Sequence, residues 1–204
     1  MRDSNGANKR AAFELSRDKA SRAAAPPTGR FQLSTVSFQP QRFKNAAMPL
    51  IRAATPADVP LILAFIRDLA TYEKLLHEVE ATEEKLRATL FGPKPAAECL
   101  LAFSAAGQPA GFAVHFTNYS TFLAKPGLYL EDLFVKPEHR GQGIGKALLL
   151  HLARLANERG CGRMEWAVLD WNQPAIEFYE SLGAERKHDW TICRLTGPAL
   201  SRFA

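Results

Sequence analysis

One short run carries the clearest chemical signal in the chain: Arg140, Gly141, Gln142, Gly143, Ile144, Gly145 and Lys146. Glycines at alternate positions leave backbone N–H groups uncovered, and the arginine and lysine supply two full positive charges. Such a run binds phosphate when it opens a helix, because the helix start adds roughly half a positive charge.

The elements around the run must hold it in place. Residues 128–135 are apolar and rich in β-formers, which predicts a buried strand, and Pro137 ends it near Lys136. Beyond the loop, Ile144, Ala147, Leu148, Leu152 and Leu155 recur at helical spacing, with Lys146, Arg154 and Glu158 on the other side. The spacing predicts a helix over 142–158, closed by Gly160. Alternation along the strand puts Tyr129, Glu131 and Leu133 on one face and Leu130, Asp132 and Phe134 on the other. Glu131 and Asp132 share a site only if a bulge intervenes.

Three kinds of phosphate site compete for the loop. A Walker A loop needs Ser or Thr where Ala147 stands, which argues against a magnesium-nucleotide site. A dinucleotide fingerprint needs Gly-x-Gly-x-x-Gly on the first strand of a βαβ unit, whereas this loop lies past the middle and reads Gly-x-Gly-x-Gly. The third pattern fits: Arg140-Gly-Gln-Gly143-Ile-Gly145 resembles the pyrophosphate loop of the Gcn5-related N-acetyltransferases, which hold acetyl-CoA on these amides. Leu69-Ala-Thr-Tyr72-Glu73, Leu-Tyr-Leu-Glu131-Asp-Leu-Phe-Val, Trp171-Asn172-Gln-Pro174 and Phe178-Tyr179-Glu-Ser-Leu-Gly183 are similar to the diamine (spermidine/spermine) acetyltransferase branch.

The resemblance implies roles, residue by residue. Leu133, Phe134 and Val135 would offer backbone groups to the pantetheine amides, and Asn172, Pro174 and Tyr179 would complete the cofactor site. Tyr179 would protonate the leaving thiolate, and Glu131 would take the amine's proton. Tyr72, Glu73, Glu131, Glu165 and His188 or Asp189 would line the groove for a cationic amine. After Gly183 the chain is shorter than the human-type pattern and adds Arg186 and Lys187. A shorter diamine, or an amino acid with a side-chain amine, then competes with a long polyamine. A homodimer is implied as well. The rival readings are a protein lysine or N-terminal acetyltransferase and a CoA-binding module without turnover. No cysteine is placed by motif to carry an acetyl group, so direct transfer in a ternary complex is expected.

Composition narrows the setting. With 204 residues and 47% hydrophobic, the chain fits one domain plus an extra segment. The net charge of +5 is concentrated in residues 1–47, which hold nine Lys and Arg against three acids. The domain itself therefore has no charge argument for nucleic acid. Cys99, Cys161 and Cys193 are widely spaced, which fits a reducing compartment such as the cytoplasm rather than a disulfide framework. The five histidines lack metal-ligand spacing, so no metal is expected, and no run matches the roughly 20 apolar residues of a membrane span. Residues 1–47 lack periodicity and read as a disordered basic extension. A transit peptide and a basic tail are open readings, and upstream sequence translated from an early start is favoured because Met48 precedes Pro-Leu-Ile-Arg, where members of the resembled family begin.

The remaining elements follow in order. A short strand is expected over 50–53, and Thr55-Pro-Ala-Asp58 caps a helix whose buried stripe includes Val59, Ile62, Leu63 and Ile66. Thr82 caps a second helix that stops at Gly92. Strands over 99–104 and 109–117 form a hairpin, and residues 118–127 a loop. A strand over 163–169, a helix capped by Asn172, and a last strand over 191–195 complete an α/β fold. That order gives a mixed, mostly antiparallel sheet with helices on both faces.

Overall fold

Segments with alternating or continuous apolar residues pair into a single five-stranded sheet. In the computed structural model, residues 49–204 are described. The expectations for 1–47 lie outside them. The strands are β1 (Leu50–Ala53), β2 (Glu98–Phe103), β3 (Pro109–Ser120), β4 (Lys125–Val135) and β5 (Met164–Trp166), side by side in chain order. The first four are antiparallel, and β5 runs parallel to β4.

Helix α1 (Val59–Tyr72) follows a 3₁₀ turn at Pro56–Asp58, so the regular helix starts at the residue before Pro60. Asp58 accepts hydrogen bonds from the Thr55 N–H at 2.8 Å and from both Arg52 terminal nitrogens at 2.7 Å. The guanidinium holds the Asp58 carboxyl well below the usual carboxylate range and ties the helix start to β1. Helix α2 (Glu83–Phe91) is capped by Thr82, whose hydroxyl accepts from the Lys85 N–H at 3.2 Å. On this face of the sheet Val59, Ile62, Phe65 and Leu86 pack with Leu101, Phe112 and Phe134.

Helix α3 (Ile144–Glu158) covers the opposite face, where Ile144, Leu148 and Leu152 meet Leu100, Ala113 and Leu130. Helix α4 (Gln173–Glu180) adds Phe178 and Tyr179 to that cluster, and a short α5 (Gly197–Ser201) follows. Helices on both faces of a mixed, mostly antiparallel sheet are what the sequence predicts.

Several boundaries differ. Residues 118–127 are mostly strand, because the β3–β4 pairing continues from Asn118–Gly127 to Ser120–Lys125. The strand expected over 163–169 is only the three residues of β5. The helix over 142–158 starts at Ile144, because Gly143 takes a left-handed φ of 79°. Residues 191–195 form no strand, and Trp190, Ile192 and Leu195 are 77%, 70% and 53% exposed. A three-residue edge such as β5 offers few ladder bonds to recruit them.

The largest correction concerns β4. Val114 stands opposite Asp132, and the next residue, His115, stands opposite Leu130. Glu131 is therefore an extra residue, a β-bulge, and side-chain parity changes there. Leu128 and Leu130 pack on the α3 face, and so do Leu133 and Val135, while Phe134 packs beneath α1. Leu130 and Phe134 do not share a face as simple alternation predicts.

Leu148 is 0% exposed at the centre of the α3 cluster. Leu148→Ala is expected to lower the unfolding free energy by about 2–5 kcal/mol, read from the shift in urea midpoint at constant slope.

Candidate active site

The loop after β4 has the form that an anion needs. Gly141 and Gly143 adopt left-handed φ values of 73° and 79°, which turn the backbone so that successive N–H groups converge. A Cβ at either position would meet no atom within 4 Å, so the space above the loop is open. Among the described residues, the N–H groups of 141–146 donate to no backbone carbonyl, and α3 begins its own ladder only with Ala147 donating to Gly143 at 2.9 Å. Helix start, uncovered amides and the exposed Arg140 and Lys146 are together suited to a pyrophosphate.

Beside the loop, β4 and β5 part company. Their pairing covers only Leu128–Leu130 against Met164–Trp166 and stops one residue before the bulge. From Asp132 to Val135 the backbone of β4 bonds to β3 on one side and, among the described residues, has no strand on the other. That free edge fits a ligand carrying amides in series, as pantetheine does. The Val135 carbonyl is already engaged, accepting from Arg140 Nε at 3.0 Å.

The bulge gathers acids at the same place. Asp132 is half-buried, and burial first, then the Glu131 and Glu73 charges, push its carboxyl from 3.8 up to about 6. Glu131 itself is exposed on the bulge. Glu73 caps the C-terminus of α1, where burial raises its carboxyl. A cleft of about 190 Å³ opens beside it, lined by Tyr72, Glu73, Lys74 and Trp171. Glu73 and the Tyr72 and Trp171 rings, with the Asp132 and Glu131 carboxyls nearby, suit a cation, and Lys74 also lines the cleft. Asp132, with a carboxyl titrating near neutrality, can accept a proton at physiological pH.

Tyr179 lies on α4 with its ring edge-on to Trp166 at 5.0 Å. Burial raises its phenol, which keeps the proton in place at neutral pH. Its ring packs against the α3-side core, behind the point where β4 and β5 separate. Asn172 precedes α4 but does not cap it with its side chain; its carbonyl accepts from Ile176 at 3.1 Å. Its amide oxygen instead faces the Tyr72 hydroxyl at 3.4 Å. Pro174 sits in the first turn of α4.

Two expected groove residues are placed differently. Glu165 takes Arg163 Nε at 2.7 Å and Asn118 Nδ2 at 3.0 Å on the same oxygen. Gly127 makes this reach possible, since a Cβ there would collide with the Asn118 amide. Asp189 lies on the exposed segment after α4 and makes no hydrogen bond or ion pair among the described residues. The sequence reading gave no site role to Asp132, Trp171 or the Arg163–Asn118 clamp. Asp132 had a signal in its adjacency to Glu131; the clamp had none.

Known proteins match this arrangement. The model of the acetyltransferase (GNAT) family matches residues 65–184. The chain belongs to this family. As a GNAT protein it is 41% identical to the thialysine N-epsilon-acetyltransferase of Bos taurus, covering 78% of this chain and 98% of that protein. It is 36% identical to an L-ornithine N5-acetyltransferase of Arabidopsis thaliana, over 86% of this chain and 96% of that one. Among solved structures, an integron cassette protein from the V. cholerae mobile metagenome superposes with a TM-score of 0.64 at 26% identity, covering 76% of this chain and 96% of that chain. This GNAT chain is an N-acetyltransferase.

The Asp132 carboxyl gives a direct test. Raised above its unfolded value, it favours the fold only while protonated. Its contribution to stability should be greatest below about pH 4 and be lost as pH rises through about 6. Asp132→Asn should abolish that decline and stabilise the protein at pH 7 by about 2–3 kcal/mol, at roughly 1.4 per unit. Urea titrations across pH 4–8 measure it.

Proposed function

We propose that the protein moves the acetyl group of acetyl-CoA directly onto the side-chain amine of a small cationic acceptor. An amino acid carrying a second amine stands ahead of a long polyamine. The observation that carries this is the acid cluster of Asp132, Glu131 and Glu73 beside the free edge of β4 and the amide loop. Support for the shorter acceptor comes from Glu165, whose charge is taken up by Arg163, and from relatives named for ornithine and thialysine. A flat peptide groove fits less well, because Tyr72 reaches across to Asn172 and Trp171.

An alkylamine with a pKa near 10.4 is neutral in roughly one molecule of a few thousand at pH 7, a deficit of about 4–5 kcal/mol. Asp132 and Glu131 hold the cation by charge and receive its proton. The amine nitrogen then forms the bond to the acetyl carbon as the carbon–sulfur bond breaks. Tyr179, kept protonated by burial, gives its proton to the sulfur, and the second proton shed by the acetylated nitrogen returns to the phenolate, leaving a neutral amide and a free thiol. Acetyl-CoA supplies the activated thioester. Arg140, Lys146 and the amides of 141–146 bind its pyrophosphate, and Leu133–Val135 orient its amides.

Direct transfer is supported at Cys99, the most buried of the three thiols. Cys99 is buried, and burial pushes it up to about 12, too high to form a thiolate. The activity is placed in residues 48–204. A cytoplasmic homodimer belongs to the same reading, supported by free thiols and by exposed apolar Trp190 and Ile192.

Thiol release with acetyl-CoA and L-ornithine, thialysine, lysine, putrescine and spermidine is the primary test. Turnover confined to the long polyamine would overturn the acceptor assignment. Tyr179→Phe should lower kcat by roughly 10²-fold or more with little change in KM for acetyl-CoA. Arg140→Ala should raise that KM by about tenfold and leave kcat within a few-fold.

A further inference from the structure

The phosphate-loop arginine is not free to swing. Arg140 Cζ lies 4.7 Å from the centroid of the Tyr72 ring and 5.7 Å from that of Phe134. Its Nε donates to the Val135 carbonyl at 3.0 Å. Ring, ring and carbonyl therefore fix the guanidinium plane. Its two terminal nitrogens contact no protein acceptor among the described residues, so that edge remains for a ligand. Phe134 belongs to the buried core and cannot yield. Tyr72 belongs to the far end of α1, and Trp171 holds it at a ring separation of 5.9 Å.

We propose that Tyr72 is a positioning residue for Arg140, setting the guanidinium for the cofactor's phosphates from the acceptor side of the cleft. The inference rests on the reading of residues 140–146 as the CoA pyrophosphate loop. It gives Tyr72 a role that groove lining alone does not. An exposed arginine on a glycine-rich turn would otherwise order itself only on binding, with a loss of side-chain and loop freedom. Stacking on Tyr72 removes that loss beforehand, through the face of the ring rather than its hydroxyl.

The test is calorimetric titration of the full chain with CoA alone. Tyr72→Ala should weaken CoA binding about five- to tenfold, and Tyr72→Phe should bind within twofold of wild type. Arg140→Ala should lose about tenfold or more, and adding Tyr72→Ala to it should cost less than twofold further. Tyr72→Leu, which keeps apolar bulk without a π face, should behave as Tyr72→Ala. Losses that multiply in the double variant would sink the inference. So would Tyr72→Leu binding like wild type, or Tyr72→Phe losing as much as Tyr72→Ala. If Arg140→Ala leaves CoA affinity unchanged, the loop reading itself fails and the inference falls with it. If Arg140→Ala weakens binding and Tyr72→Ala does not, only the inference fails. Unchanged melting temperatures separate these outcomes from misfolding.

Discussion

One extra residue in β4 governs the site. Without Glu131 as a bulge, strict alternation would carry Leu130 and Phe134 to the same face and leave Leu133 and Val135 beneath α1. The shift instead lets Leu128, Leu130, Leu133 and Val135 all serve the α3 face while Phe134 closes the core under α1. The same irregularity puts Asp132 on the α1 side of the sheet, within reach of the Glu73 charge. It also coincides with the last rung between β4 and β5, so the cleft opens where the acids collect. Packing, acidity and access have a common origin in that single insertion.

The electrostatics follow from the crowding. Three carboxyls share a region that burial partly dries, and Asp132 responds by holding its proton more tightly. Such a cluster opposes folding on its own account. Across the cleft, Arg163 and Asn118 take Glu165 out of the acidic set. The groove thereby keeps its charge near the bulge and little of it toward β5.

The sequence revealed the parts that depend on local pattern. The glycines of the loop need left-handed backbone, and they adopt it. Apolar spacing located α1 and α3 and capping located α2, with α3 starting two residues later than expected, at Ile144 rather than Gln142. Turn chemistry misled at 118–127, where Gly127 and Pro126 suggest a loop, yet pairing to Asn118 and Tyr119 prevails. The segment 191–195 has strand-like residues and no adequate neighbour, so propensity alone did not order it. The bulge was stated as a condition for Glu131 and Asp132 to meet, but only cross-strand register could establish it. Side chains that act at long sequence separation, such as Asn118 on Glu165 and Tyr72 on Arg140, leave no trace in local spacing.

The unpaired stretch of β4 has one more consequence. A bare strand edge within a sheet ordinarily invites another chain to pair with it. Here the edge sits in a notch between two strands that remain joined at one end, where a broad polypeptide strand has little room to align. On the proposed reading, the slender pantetheine arm would occupy that notch as a missing rung. Acetyl-CoA would then complete the architecture as well as supply the acetyl group.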